Sequence, residues 1–200
     1  MAPPGVPRSA EDGGPRRWAV TAEDGLGLRD APAADAAVVS AVPKGAVLSN
    51  LGCAAREDRV WCEVRPFRGG ARGFAPAASL RPAAGPDGTV PMGPDDSARR
   101  ARGRDFDARG EVRCAQEVGE ALGPCAAGVA RGGGGDASVV VRFPSGFART
   151  LFFVHGAFVS GDATMSGVGT DTDWRVEDGA HVVRVDDQRF VLPGAFVFGE

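Results

Sequence analysis

The chain has 200 residues, with 23 Lys and Arg against 26 Asp and Glu, a net charge of −3 and a hydrophobic fraction of 43%. This balance gives no sign of the strongly basic face that nucleic-acid binding requires, and no apolar run reaches the roughly 18 residues needed to cross a membrane. The 30 Gly and 15 Pro residues indicate many turns between short strands. We therefore expect a mainly β protein without a nucleic-acid partner or a transmembrane segment.

Residues 1–17 are rich in Pro, Gly and Arg and contain no apolar stretch of the kind found in a secretory signal. We expect a disordered leader here and see no signal peptide. Residues 18–82 form the first expected domain, in which turn residues separate short apolar runs. Its predicted strands are Trp18–Ala22, Leu26–Arg29, Val47–Cys53, Val60–Arg65 and Gly73–Pro76, followed by a closing turn at Ala78–Leu80.

Residues 83–110 hold few apolar side chains and are expected to form a linker. The basic cluster Arg99–Arg104 either contacts an anionic lipid or polymer or stays solvated beside its acidic neighbours. Residues 111–200 form a second, β-rich domain, a sandwich or a barrel, with hairpins at the turns 144–146 and 186–188. Its other predicted elements are edge strands at Gly128–Arg131 and Phe196–Phe198 and one short helix at Ala115–Leu122.

The four cysteines fall into two close pairs, Cys53 with Cys62 and Cys114 with Cys125. Neither spacing matches a zinc knuckle or a C-x-x-C redox motif. In a hairpin, Cys53 and Cys62 would face each other within the range that a disulfide needs, on the same face as Leu51 and Val64. We expect the disulfides Cys53–Cys62 and Cys114–Cys125, with free thiols and a metal site as the alternatives. Two disulfides would place the protein in the periplasm or outside the cell.

The first domain carries G-L-G-L-R-D-A-P at 25–32, P-K-G-A-V at 43–47, V-W-C-E-V at 60–64 and G-F-A-P at 73–76. This series resembles the bacterial SH3 domain (SH3b), which implies a small N-terminal β-barrel that binds a ligand. The resemblance implies core positions at Leu26, Leu28, Val47, Val64 and Leu80. It also implies possible ligand contacts at Trp61, Phe74 and Arg29.

Trp61 has the opposite strand parity to Cys62 and Val64, so its side chain is predicted to point away from their core face. A large aromatic side chain in that position is either a ligand platform or a packing residue. The sequence leaves both interpretations open.

Three further patterns contain residue types that can carry chemistry. His155 or His181 could pair with Cys114 or Cys125, but the D-C-S-G and S-x-G-C nucleophile motifs of cell-wall peptidases are absent, so we expect ordinary strand histidines. The glycine run 131–136 lacks the G-K-[ST] of a phosphate loop and is expected to be a turn. Asp162, Asp171 and Asp173 share a polar region but form too short a pattern to specify calcium. We expect no catalytic residue, no metal and no cofactor.

The whole chain resembles secreted alphaproteobacterial proteins that contain an SH3 domain, through Cys114, Cys125 and the runs G-V-A-R, G-D-A-S-V-V-V and Q-R-F-V-L-P. The expected function is non-catalytic binding of a cell-wall peptide, a glycan or an envelope protein. One alternative is a structural or interaction protein whose second domain carries the partner surface. Its anchors would come from Phe152, Phe153, Phe158, Phe196 and Phe198. A cell-wall hydrolase is the remaining alternative.

Overall fold

A computed structural model describes residues 5–57, 59–162 and 171–199. The chain divides into two compact units. The first unit contains Met1–Ala84 and Gly88–Pro94, and the second contains Gly85–Asp87 and Asp95–Glu200. The first four residues of the predicted leader and Asp58 of the predicted hairpin turn lie outside the described residues. Both units are built on antiparallel sheets, so the expected mainly β, two-domain fold is confirmed.

The first unit is a seven-stranded antiparallel sheet in the order β3-β2-β6-β5-β4-β1-β7. A 3₁₀ turn at Ala77–Ser79 occupies most of the predicted closing turn. Most of the strands are short, and each ends at or just before a Gly, Pro or polar residue, as the sequence pattern indicated. The strands are β1 (Arg17–Val20), β2 (Leu26–Arg29), β3 (Val38–Val42), β4 (Val47–Arg56), β5 (Arg59–Pro66), β6 (Gly73–Pro76) and β7 (Leu80–Pro82).

The core of the first unit forms where strands present alternate residues to one side. Leu28, Leu48 and Val64 are completely buried there, beside Trp18 and Cys62. The predicted placement of Leu51 on this face is wrong, since a β-bulge between Asn50 and Gly52 breaks the alternation. Leu51 is consequently 39% exposed, while Cys53 still packs against the core.

Part of the segment predicted as leader is held by hydrogen bonds. The buried amide of Asn50 donates through Nδ2 to the carbonyl oxygens of Arg8 and Pro15, each at 2.8 Å. Pro15 also forms an isolated β-bridge with Met92. Two distant parts of the sequence, 8–15 and 91–94, therefore belong to the edge of the first sheet.

The second unit is an eight-stranded antiparallel sheet in the order β12-β11-β10-β9-β8-β15-β14-β13. Strands β8 to β12 form one meander and β13 to β15 form another, each with neighbours along the chain paired. The two meanders are joined by the pairing of β15 with β8. The strands are β8 (Ala108–Ala115), β9 (Gly123–Gly133), β10 (Asp136–Arg142), β11 (Ala148–Val154), β12 (Ala157–Gly161), β13 (Thr172–Glu177), β14 (Ala180–Val185) and β15 (Gln188–Pro193).

The two edge strands of this sheet approach each other, so that the sheet is nearly closed into a barrel. Strand β12 contacts both β13 and β14. A Cβ on Gly161 would lie 3.0 Å from Cγ1 of Val185, which shows how closely the backbone of β12 approaches the side chains of β14. The interior is filled by side chains, as is usual for eight strands, and includes Val129, Val139, Leu151, Phe153, Phe190 and Leu192.

One predicted edge strand and the predicted helix of the second unit are wrong. The expected edge strand Phe196–Phe198 is part of a short helix, α2 (Gly194–Phe198), whose Val197 is completely buried. The expected helix Ala115–Leu122 is a turn, in which Glu120 Oε2 accepts hydrogen bonds from the backbone N–H groups of Gln116 and Glu117. Gly119 has a φ of 78°, a value that a helix does not allow.

The expected edge strand Gly128–Arg131 is instead the middle of β9, which is paired on both sides. The segment predicted as linker contains a helix, α1 (Ser97–Arg102), and the beginning of β8. Ser97 and Ala101 are buried on α1, and Ser97 Oγ lies 2.9 Å from Ser138 Oγ of β10. The helix therefore covers one part of the outer face of the sheet.

Both predicted disulfides are present, and no cysteine is free. Cys53 and Cys62 are direct cross-strand partners of β4 and β5. Cys114 and Cys125 are diagonal partners, because Cys125 pairs with Val112 and Cys114 pairs with Gly123; their Cα atoms are 5.9 Å apart. Each unit is thus cross-linked within a single pair of neighbouring strands.

Candidate functional site

The three residues expected to bind a ligand lie on one face of the first sheet. Arg29 pairs with Phe74 across β2 and β6, and Phe74 pairs with Glu63 across β6 and β5. Trp61 is two residues from Glu63 and pairs with Pro76, so it belongs to the same face. Cys62 and Val64 point to the opposite face, where the core lies, which agrees with the predicted parity of Trp61.

This face offers little free aromatic surface. Trp61 is only 4% exposed, and Phe74 is partly buried. Arg29 donates through Nη1 to the carbonyl oxygen of Ala36 at 2.6 Å, and Glu63 forms an ion pair with Arg72. The structure therefore brings the predicted residues together, but Trp61 is buried and the charged groups of this face already contact other residues of the protein.

The first unit also contains an apolar groove, which we call the Trp18 groove. Its volume is about 610 Å³. Strands β1 and β7 supply one wall, and the segment that precedes β1 supplies the other. The groove is lined by Val6, Pro7, Trp18, Leu80, Pro82 and Met92.

Trp18 gives the groove a polar group. Its side chain is 4% exposed, and its indole Nε1 is buried without a hydrogen-bond partner among the described residues. A buried N–H without an acceptor costs free energy, and in native proteins such a group often marks a place for a ligand or water. The sequence carries no local signal for this site, because an apolar residue in a strand is expected in the core and because residues 1–17 have the composition of a leader.

The cysteine–histidine pair considered from the sequence does not form. The sulfur atoms of Cys114 and Cys125 are bonded to each other, so neither is a thiolate nucleophile. His181 is buried between Phe153 and Phe198, and desolvation lowers its pKa below the ordinary 6.5. His155 occupies the turn between β11 and β12, where its backbone N–H donates to Asp136 Oδ1 at 2.9 Å.

Each of the three aspartates considered for calcium contacts a different group of the protein. Asp162 Oδ1 accepts from the backbone N–H of Thr150, Asp171 forms an ion pair with Arg184 at 2.8 Å, and Asp173 lies 3.7 Å from Arg175. The hydrogen bond from Arg184 lowers the pKa of Asp171. Among the residues that the structure describes, no group of three or more metal-ligating side chains is found.

The glycine run 131–136 contains the turn between β9 and β10 as predicted, with residues 134 and 135 at its tip and the flanking residues in the two strands. Gly133, Gly134 and Gly135 all have positive φ, between 61° and 81°, which explains the glycine at three positions of this run of four. Gly134 donates its backbone N–H to Asp87 Oδ2 at 2.9 Å. The turn is therefore held within the second unit.

Comparison with known proteins gives no relative: no family model, no curated protein and no solved structure matches the chain. Within residues 5–57, 59–162 and 171–199, no helix is long and apolar enough to span a membrane.

Proposed function

We propose that the chain is a non-catalytic binding protein of the bacterial cell envelope. In this proposal the first unit is an SH3b-like domain and holds a cell-wall peptide or glycan in the Trp18 groove. The observation that carries the proposal is the unpartnered Nε1 of Trp18 in the wall of an apolar groove.

The chemistry of the groove suits a short ligand with both apolar surface and hydrogen-bond acceptors. Its volume of 610 Å³ falls within the range of small-ligand sites. Prolines, Leu80 and Met92 provide apolar contact for a peptide side chain or the face of a sugar ring. A carbonyl or hydroxyl oxygen of the ligand would accept the hydrogen bond from Trp18 Nε1, which has no acceptor among the described residues.

The envelope location is supported by the two disulfides. Structural disulfides persist in oxidising compartments, such as the periplasm, and are rare in the cytosol. Each one closes a short loop, with sequence separations of 9 and 11 residues. Both pairs are consistent with a secreted or periplasmic protein.

The predicted face around Arg29 and Phe74 is the alternative location for the ligand on the same unit. It is less suited to a ligand than the Trp18 groove because Trp61 is 4% exposed and Arg29 already donates to Ala36. A variant of Phe74 separates the two locations experimentally.

Cosedimentation of the full chain with purified sacculi tests the proposal. Met92 is 55% exposed at the groove, so Met92→Arg places a charge in the groove without disturbing the core. Val38 is 56% exposed on β3 and lies outside the groove, which makes Val38→Arg the matched control. We expect Met92→Arg to weaken binding at least tenfold and Val38→Arg to leave binding unchanged.

Three results would count against this proposal. Sedimentation no greater than that of a control protein removes the wall ligand. Equal binding of Met92→Arg and the unmodified chain removes the Trp18 groove as the site. Loss of binding in Phe74→Ala alone transfers the site to the predicted face.

The alternative function, a partner surface on the second unit, has weaker support. Phe153 and Phe158 belong to the buried core, and Phe196 and Phe198 pack against it. Phe152 is partly buried on β11. Since these side chains mainly contact the interior of their own unit, few of them are available as anchors for a partner.

A further inference from the structure

The outer face of the second sheet carries a pocket surrounded by arginines, which we call the arginine pocket. It has a volume of 230 Å³ and is lined by Arg104, Phe106, Arg109, Gly128, Val140 and Arg142, among others. Gly128 pairs with Arg109 on one side and with Val140 on the other, so these residues form one row across three strands. The floor is made of small side chains and the rim of long cationic ones.

The shape of the floor depends on Gly128. A Cβ at this position would lie 2.4 Å from Cδ2 of Phe106, so only glycine allows the ring to lie against the sheet. Phe106 in turn supports Arg109, whose Cζ is 4.7 Å from the centre of the ring. The guanidinium of Arg109 is thereby held in a defined place above the floor.

The pocket has an unbalanced positive charge. None of Arg104, Arg109 and Arg142 forms an ion pair with a carboxylate in the described part of the chain. The nearby acids Asp105 and Asp107 are both bonded to Arg100, at 3.0 and 2.7 Å. Glu111 lies on the same face of β8, two residues from Arg109 and opposite Ala126, and forms no ion pair with any of the three arginines.

Two of the arginines are oriented by backbone oxygen atoms and keep other donors. Arg109 donates through Nη2 to the carbonyl oxygen of Arg104 at 2.9 Å, and Arg142 donates through Nη1 to that of Gly146 at 2.9 Å. Each guanidinium has five N–H donors in a planar fork, so several donors on each remain for a ligand. Fixed forks around a small pocket are suited to an oxyanion.

We propose that the arginine pocket binds a phosphate group. A phosphate offers several acceptor oxygens and up to two negative charges, which matches three cationic side chains better than a single carboxylate does. At 230 Å³ the pocket is below the usual range for drug-sized ligands, so it accommodates a phosphate with a small attached group while a larger body stays outside. The phosphate belongs either to a free small molecule or to the headgroup of an anionic phospholipid.

Calorimetric titration of the full chain at low ionic strength tests this site, with inorganic phosphate as the first probe. We expect Arg109→Gln and Arg142→Gln each to weaken phosphate binding about tenfold, the usual scale for a lost charged hydrogen bond. Arg175 lies on β13 outside the pocket and is paired with Glu177, so Arg175→Gln is the matched control. That control should bind phosphate as the unmodified chain does.

A second variant leaves every arginine in place. Ala126 is exposed on the floor and pairs with Arg142, so Ala126→Glu puts a carboxylate between the guanidinium groups. The new carboxylate also faces Glu111, the partner of Ala126 on β8, so the melting temperature of the second unit should fall slightly while phosphate binding is abolished. The proposal is overturned if the unmodified chain does not bind phosphate, or if Ala126→Glu binds phosphate as tightly as the unmodified chain does.

Vesicles distinguish the two sources of phosphate. The site is assigned to a lipid headgroup if the unmodified chain binds phosphatidylglycerol vesicles more strongly than phosphatidylcholine vesicles and Ala126→Glu does not. Binding of inorganic phosphate without binding to either vesicle assigns it to a free phosphate compound. None of these variants touches the Trp18 groove, so the result is independent of sacculus binding.

Discussion

Trp174 donates a hydrogen bond from its indole Nε1 to Nδ1 of His181, at 3.1 Å, and the two rings are stacked. Because Nδ1 accepts, the neutral ring carries its proton on Nε2. Protonation of Nδ1 would replace this acceptor with a donor in a setting that already disfavours charge. The pair therefore ties the stability of the second unit to pH.

The first prediction concerns this pair. Burial lowers the pKa of His181 below 6.5, so the unfolded chain binds more protons than the folded one as the pH falls through that value. The contribution of neutral His181 to the free energy of unfolding should be fully present above about pH 7. It should decrease as the pH falls through 6.5 towards the pKa of His181 in the folded state. Calorimetric melting of the second unit between pH 7.5 and 5.5 measures the slope.

His181→Gln should flatten this slope, and His155→Asn, which changes the only other histidine, should retain it. A slope that is the same in all three proteins would assign the pH dependence to other groups.

The second prediction concerns the Cys53–Cys62 disulfide. Replacing both cysteines by Ala frees a short loop and should lower the free energy of unfolding of the first unit by about 2.5–3 kcal/mol. Chemical denaturation with and without a reducing agent measures the loss. The reducing agent should destabilise the first unit of the unmodified chain and leave the first unit of the double variant unchanged, since the remaining disulfide, Cys114–Cys125, lies in the second unit. The denatured, non-reduced chain should show no reactive thiol.

The third prediction concerns Gly128. Its Cβ would meet the ring of Phe106 at 2.4 Å, so Gly128→Ala should destabilise the second unit by about 1–3 kcal/mol. Gly123 lies on the same strand with nothing within 4 Å of its Cβ position, so Gly123→Ala is the control and should be nearly neutral. Equal stability of the two variants would show that Phe106 can move aside.

The fourth prediction concerns Asp107, which joins two parts of the second unit. It accepts a hydrogen bond from Arg100 at 2.7 Å and one from the backbone N–H of Arg131 at 2.6 Å. The side chain of Arg131 then donates to carbonyl oxygens of α2, including that of Phe196 at 2.8 Å. Asp107→Ala should cost about 1–3 kcal/mol in urea denaturation.

Asp105→Ala is the matched control for Asp107. Asp105 contacts the same arginine, but its side chain is 69% exposed, so its loss should cost less than about 1 kcal/mol. The Arg100 guanidinium also holds the pKa of Asp107 below its ordinary value. This contribution to stability should be present above about pH 4 and be lost as the pH falls through the folded pKa.

Much of the β structure could be predicted because local patterns specify it. Leu26–Arg29 and Gly73–Pro76 are strands with the predicted bounds, since glycine and proline mark their ends. The Cys53–Cys62 pair followed from two strands joined by a polar turn. The bulge beside Gly52 was not visible, because it depends on how β4 meets its partner.

Other features depend on contacts between distant residues and leave no local signal. Arg149 is 2% exposed on β11, where Nε donates to Gln188 Oε1 at 2.7 Å, although an arginine in an alternating strand is usually assigned to solvent. The Phe196–Phe198 segment has the composition of a strand but packs as a helix. The Trp18 groove requires residues 6–15 to return to β1, which no periodicity predicts.

The pairing of β15 with β8 has a consequence for synthesis on the ribosome. Residues 108–161 can form a meander as they emerge, but β8 keeps one unpaired edge until Gln188–Pro193 has been made. An open strand edge is a template for pairing with another chain. Chains that stop before Gln188 should therefore aggregate, and a chaperone that covers this edge would act late in the synthesis of the protein.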